Sequence, residues 1–260
     1  MHCKKPIGIF DSGVGGLSVL IEIKKLLPNE NLVFLADQKN VPYGLKTQNQ
    51  LEKITEDITH FLLGHDIKML VVACNTATCY ALSHLRKTFS IPIIGVVPAI
   101  KPAAQKSQKG KIVVMSTPAT AKSSYLKNLI KDHAPGAQVL RIGCHGLEDQ
   151  VEELDYIAIG QTLPKYATKI ENFGADVLVL GCTHYPLIKD KIKRNLGSGV
   201  RVIDSGKAVA QRVKFILDQN KLSSKEKIFE LYYTTSDTVK FSKVASILLA
   251  ADIKAQKAVL

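Results

Sequence analysis

The stretch Leu70-Val71-Val72-Ala73-Cys74-Asn75-Thr76-Ala77-Thr78 turns from apolar to polar at a single cysteine. A short β-rich run of this kind suits a buried parallel strand, and the polar residues after it suit a helix start. The pattern recurs at Val177-Leu178-Val179-Leu180-Gly181-Cys182-Thr183-His184-Tyr185-Pro186. Open α/β sheets bind ligands at the carboxyl ends of their strands. Each half of the chain therefore delivers one thiol to the place where a ligand is expected.

Outward from Cys74, strands and helices alternate. Ile7-Gly8-Ile9-Phe10 reads as a strand ending at Asp11-Ser12-Gly13-Val14-Gly15-Gly16, with a helix over Leu17 to Leu27 stopped by Pro28-Asn29. Asn31 to Ala36 is the next strand, followed by Val41-Pro42-Tyr43-Gly44 and a helix from about Thr47 to Leu63. A helix follows Cys74 through about Lys87, and Ile91 to Pro98 supplies a fourth strand. The second half restarts with strands at Lys111 to Met115, Val139 to Ile142, the run before Cys182, and Arg201 to Ser205. Cys74 lies 63 residues beyond Asp11, and Cys182 lies 66 beyond Ser116. That is a coarse internal duplication rather than a solenoid period. The tail from about Ala208 reads as helix, strand (Lys227 to Tyr233) and helix (about Val239 to Ala250), packing back on the first half. The expectation is α/β: two pseudo-symmetric domains, each a mostly parallel sheet flanked by helices. Their predicted extents are 1–97 with 207–260, and 98–206.

Bulk properties narrow the class. A chain of 260 residues buries a large core. No apolar run approaches the roughly 18 residues of a membrane span, and the basic start has too short an apolar segment for a signal peptide. A cytoplasmic protein with no membrane partner is expected. Five scattered cysteines (Cys3, Cys74, Cys79, Cys144, Cys182) form no disulfide framework. The net charge of +12 favours anionic partners. Its lysines are dispersed, without a basic arm interleaved with aromatics, so nucleic acid is not the expected partner.

Three constellations compete for the chemistry. Asp11-Ser12-Gly13-Val14-Gly15-Gly16 with Asp37 mimics a dinucleotide fingerprint, but Ser18 occupies the third glycine position. Asp11 would also place a carboxylate where a pyrophosphate must approach. Backbone N–H groups offered to a small carboxylate, or a purely structural turn, fit that segment better. Asp11, Cys74, Cys182 and His184 contain a Cys-Cys-His set of catalytic-zinc type, without the close ligand spacings that make such a signal strong. Cys79 falls on the helix and is read as structural. Third, paired thiols at helix starts serve as acid and base, since a helix N-terminus lowers a thiol's proton affinity while burial raises it. Asp11 is positioned to assist Cys74, and His184 to assist Cys182. Inverting a stereocentre needs one base on each face of the carbon, which two halves closing on a substrate would supply.

Phe10-Asp11-Ser12-Gly13-x-Gly15-Gly16, Pro42-Tyr43-Gly44, Ala73-Cys74-Asn75-Thr76-Ala77, Gly95-Val96-Val97-Pro98, Gly181-Cys182-Thr183-His184-Tyr185-Pro186 and Asp204-Ser205-Gly206 follow, in order, the motifs of glutamate racemases. The chain resembles that family from about residue 6 to residue 215. The resemblance implies a cofactor-independent bacterial enzyme, with no metal, whose active site lies in the cleft between two domains. Its substrate would be L- or D-glutamate, and its role the supply of D-glutamate for peptidoglycan. It implies Cys74 and Cys182 as catalytic bases, the first usually assigned to D-glutamate and the second to L-glutamate. Asp11 and His184 are the implied assisting groups, and Glu152 supports the histidine. Implied substrate contacts are Asp11, Ser12, Tyr43, Gly44, Asn75, Thr76, Thr183 and His184, with Thr117 and Thr120 as further candidates. Members of the family are often dimers, so a homodimer is among the expectations.

The chain departs from the family at Cys144-His145-Gly146-Leu147-Glu148-Asp149, where relatives usually continue with a Pro-Leu-rich run. The departure leaves open whether Glu152 is the supporting acid. Leu45 stands where relatives often carry a polar residue. No extension precedes the first strand, so activation by a cell-wall nucleotide precursor is not expected. Two other readings stay open: an anion- or amino-acid-binding protein of the same two-domain shape, and a two-cysteine racemase acting on aspartate.

Overall fold

The computed structural model describes residues 4–260, so Cys3 lies outside the described residues. It resolves into two compact units: the described residues up to Val96 together with Gly206–Leu260, and Val97–Ser205.

In the first unit, β1 (Ile7–Asp11) leads through a 3-10 turn at Val14–Gly16 to α1 (Leu17–Leu26). Next come β2 (Leu32–Ala36), α2 (Gln48–Leu63), β3 (Met69–Val72), α3 (Asn75–Thr88) and β4 (Ile93–Gly95). Every residue of β1, β2 and β3 is buried, as strands covered on both faces must be. α2 starts at a capping box: Thr47 accepts from the Gln50 backbone N–H, and the Gln50 side chain accepts from that of Thr47. Its buried residues Leu51, Thr55, Ile58, Thr59 and Leu62 follow helical spacing, leaving the charged residues on the other face. β4 is much shorter than the apolar run from Ile91 to Pro98 suggests. The ladder with β3 pairs only Ile93–Gly95, bounded by Leu70 N donating to the Pro92 carbonyl and Val96 N donating to the Val72 carbonyl.

The second unit holds α4 (Ile100–Lys106), β5 (Lys111–Ser116), α5 (Pro118–Lys122), α6 (Ser124–His133), β6 (Gln138–Gly143), α7 (Leu147–Glu152), α8 (Tyr156–Phe173), β7 (Val177–Leu180), α9 (Lys189–Arg194) and β8 (Arg201–Ile203). Strand alternation divides its core in two. Val113, Met115, Leu178 and Leu180 pack with Ile159, Leu163, Tyr166 and Ile170 of α8. Ile112, Val114, Val177 and Val179 face the other way, onto Ala103 of α4 and Leu126 of α6. Each of these large apolar side chains contributes roughly 1.5–3 kcal/mol by leaving water.

The chain then returns to the first unit as α10 (Gly206–Gln219), β9 (Glu230–Thr234), α11 (Thr238–Leu249) and β10 (Gln256–Lys257). β9 pairs with β2, so the tail extends the first sheet. A buried ion pair anchors it: Lys68 Nζ meets Glu30 Oε2 at 2.5 Å and also donates to the Leu222 carbonyl, while Ser224 N donates to Glu30 Oε1.

All strand pairs are parallel. The first sheet runs β10-β9-β2-β1-β3-β4 and the second β6-β5-β7-β8. Four strands of each thus repeat one order, with β1, β2, β3 and β4 matched by β5, β6, β7 and β8. In both sheets the direction of winding reverses between the first and third strands of the set, at β1/β3 and β5/β7. That reversal is where open α/β sheets form a crevice at their carboxyl ends.

Candidate active site

At the β1/β3 reversal of the first unit, three motif residues meet. Cys74 follows β3 and is the N-cap of α3, its sulfur accepting the Ala77 N–H at 3.5 Å. The positive end of a 14-residue helix therefore bears on this thiol and favours its thiolate. The Ser12 hydroxyl lies 3.7 Å from the Cys74 sulfur and 3.3 Å from Asp11 Oδ1, linking thiol to carboxylate. Asp11 is fully buried at the end of β1 and also accepts the Ser12 N–H at 2.7 Å. The 3-10 turn fits closely around it: a Cβ on Gly16 would come within 2.6 Å of the Asp11 Cβ. The glycine motif thus shapes the backbone about a carboxylate.

Further predicted residues of this unit gather near the same edge. Asn75 and Thr76 form the first turn of α3, both buried, and Asn75 Nδ2 has no hydrogen-bond partner among the described residues. Tyr43 is buried, whereas Gly44 beside it is exposed. The Tyr43 hydroxyl donates to Asp37 Oδ2 at 2.7 Å, and Asp37 donates its own N–H to the Asp11 carbonyl. Asp37 also accepts from Thr235 Oγ1 and, through both oxygens, from Asn40 Nδ2. Burial pushes the Asp37 carboxyl up despite these bonds, and burial with the Asp37 charge holds the Tyr43 hydroxyl well above the ordinary tyrosine range. The role of Asp37 as the anchor of Tyr43 was missed in the sequence, where it stood out only as part of a false dinucleotide signature.

The second unit builds its site differently. Cys182 follows β7, but the chain continues as a 3-10 turn, Tyr185–Ile188, before the short helix α9. The thiol therefore lacks the helix N-terminus that the sequence pattern suggested. His184 is beside it instead, with Nδ1 3.6 Å from the sulfur and Nε2 2.5 Å from Glu152 Oε1. Burial opposes charge on the ring, but Cys182 and the Glu152 carboxylate flank it and hold its proton affinity well above that of an ordinary histidine. Burial raises the Cys182 thiol, while His184 draws it the other way. Thr183 is buried between the two. Thr117, on the neighbouring strand's tip, caps α5 by accepting the Thr120 N–H, and its hydroxyl donates to Thr120 Oγ1.

Two matching pairs of backbone hydrogen bonds bring the repeat down to single atoms. Ala73 N donates to the Phe10 carbonyl, as Gly181 N does to that of Met115. Asp37 N donates to the Asp11 carbonyl, as Cys144 N does to that of Ser116. In this register Cys74 and Cys182 are equivalent positions. Cys144 is not their equal: it takes the register position of Asp37 rather than of Cys74, and burial pushes its thiol up to about 12. Among the described residues no group of three or more His, Cys, Asp or Glu side chains is arranged to hold a metal ion.

Known proteins resemble this chain in sequence and in fold. The Asp/Glu/Hydantoin racemase family model matches residues 7–213. A glutamate racemase of Clostridium novyi is 43% identical over 251 residues, covering 92% of this chain and 96% of its own. The glutamate racemase isoform RacE1 of Bacillus anthracis superposes with a TM-score of 0.91 at 32% identity, over 100% of this chain and 99% of that one. The Escherichia coli glutamate racemase, solved with L-glutamate and the activator UDP-MurNAc-ala, superposes with a TM-score of 0.83 at 30% identity, over 97% of each chain. With the family model, the sequence relatives and the solved structures in agreement, this chain belongs to the glutamate racemases of the Asp/Glu/hydantoin racemase family and is an amino-acid racemase, an isomerase.

Proposed function

We propose that the chain interconverts L- and D-glutamate by two-base proton transfer without a cofactor, and that its product D-glutamate serves peptidoglycan synthesis. The observation that carries this reading is the equivalence of Cys74 and Cys182, each with its own proton-handling partners. One thiolate removes the α-proton while the opposite thiol returns one, so the configuration inverts. We assign Cys74 to D-glutamate and Cys182 to L-glutamate. Asp11 acts on Cys74 through Ser12, and Glu152 acts on Cys182 through His184. An anionic substrate fits the unpartnered, buried Asn75 amide and the positive end of α3. We assign substrate contacts to Ser12, Thr76, Tyr43 and Gly44 of the first unit and to Thr117, Thr120, Thr183 and His184 of the second.

Circular dichroism of L-glutamate incubated with the protein tests the activity, the signal decaying to zero as the racemate forms. Cys74→Ala and Cys182→Ala should each abolish racemisation with the fold intact. Near-wild-type turnover in either variant would remove that thiol from the mechanism.

A further inference from the structure

β9 lies outside the repeated four-strand set, and outside residues 7–213 that the family model matches. In the second sheet β6, the counterpart of β2, is an edge strand; in the first sheet β9 pairs along that edge of β2. The residue after β9 reaches the site. Thr235 is buried, and its N–H donates to the Ala36 carbonyl at 3.1 Å. Its hydroxyl accepts the Lys39 N–H at 3.0 Å and gives its own hydrogen to Asp37 Oδ1 at 2.8 Å. Lys257 of β10 holds this segment, its Nζ donating to the carbonyls of Thr235 and Ser236. The tail therefore presents one fixed donor to a fully buried carboxylate.

That carboxylate is the anchor of Tyr43. Tyr43 donates to Oδ2 at 2.7 Å and Thr235 to Oδ1, while Asn40 Nδ2 reaches both oxygens. Single donors on opposite oxygens fix the plane of the carboxylate, and with it the direction in which the tyrosine hydroxyl is held. Tyr43 opens the 3-10 turn Tyr43–Leu45, in which Gly44 is exposed. We propose that Thr235 is a positioning residue for racemisation, setting the Asp37 carboxylate so that Tyr43 holds the turn carrying Gly44 in place for the substrate. Without the Thr235 hydroxyl, Oδ1 keeps only the amide that it shares with Oδ2, and the carboxylate is free to turn about its Cβ–Cγ bond. The second unit has no use for such a donor, since Cys144 stands at the register position of Asp37 and β6 ends its sheet. The kinetic consequence rests on the reading of Tyr43 and Gly44 as glutamate contacts, but the hold on Tyr43 does not.

The test pairs kinetics with tyrosine NMR on the full chain. Thr235→Val and Thr235→Ala both remove the donor, one keeping the side chain's shape and the other vacating it, so a folding failure of one leaves the other. In both, KM for glutamate should rise roughly fivefold in either direction, the worth of one hydrogen bond, with kcat nearly unchanged. Thr235→Ser keeps the hydroxyl and should restore the wild-type KM. In a Tyr43→Phe background Thr235→Val should raise KM no further, since it acts through the tyrosine hydroxyl. The NMR resonance of the Tyr43 Cζ in isotope-labelled protein, assigned by its loss in Tyr43→Phe, should move in Thr235→Val and Thr235→Ala and return in Thr235→Ser. A KM or a resonance that stays in place overturns the inference; a merely structural role would leave both and lower only the melting temperature. Effects on KM that multiply in the double variant overturn it as well. Should the wild type fail to racemise glutamate, the glutamate reading falls, and the resonance alone decides whether Thr235 holds Tyr43.

Discussion

The two thiols occupy one topological position yet are held by different means, and the difference lies in single residues. Cys74 receives a helix N-terminus and a hydroxyl; Cys182 receives an imidazole backed by a carboxylate. His184 and Glu152 are both largely buried, with side chains 5% and 13% exposed. Removing one partner of such a pair strands the other, at a cost of roughly 3 kcal/mol. Glu152→Gln should therefore destabilise the protein by about that much in urea denaturation, and the loss should depend on pH. His184 has its proton affinity raised on folding, so its contribution is fully present below the ordinary histidine value of 6.5. It fades as pH rises through the folded value. The gap between wild type and Glu152→Gln should accordingly be widest in mildly acidic buffer and narrow on the alkaline side. A gap that widens as the pH rises would show that the carboxylate does not act through the histidine. Tyr43→Phe belongs to the same scale. It takes one donor from the buried Asp37 carboxyl and should cost about 1.5–3 kcal/mol, the value of a hydrogen bond to a charged group.

At the scale of elements, glycines mark where backbone and side chain are closest and where they are not. An alanine at Gly16 would force its Cβ against Asp11 and the Phe34 ring, so Gly16→Ala should lose about 1–3 kcal/mol to overpacking and most of its turnover. Gly160 is the contrast. It is exposed within α8 and an added Cβ would meet nothing within 4 Å, so Gly160→Ala should gain about 0.5–1 kcal/mol with activity unchanged. Thermal denaturation of the two variants should move in opposite directions. The strands around the thiols were legible because a fully buried parallel strand must be a continuous apolar run, as Met69–Val72 and Val177–Leu180 are. Apart from the helix start expected after Cys182, the helices of the second half were not legible in the sequence. Pro164 lies inside α8, where its ring would ordinarily end a helix, and α7 looks like a solvated acidic loop until the fold buries its Leu147 and Val151. For the same reason Glu152 could be placed only by resemblance. The helix expected after Cys182 failed because a 3-10 turn fills the space between Tyr185 and Ile188.

At the scale of the whole molecule, a duplicated four-strand order gives each unit its own thiol, and each thiol carries only one proton. This has a consequence for the fate of the α-hydrogen. If the thiol that removes it differs from the thiol that returns a proton, the two need not be the same atom. The returning thiol will have exchanged with solvent before substrate arrives. In deuterated water, early product of either hand should carry deuterium at the α-carbon, while recovered substrate should keep its hydrogen. A single base swinging between faces would return the original hydrogen, or spread label into both pools. The measurement is mass spectrometry after separation of the enantiomers, within the first few per cent of reaction, starting once from L- and once from D-glutamate. Label in the product alone, from both starting points, is the expected result. Early label in the recovered substrate would count against two bases and leave the duplicated sheet order without a catalytic purpose.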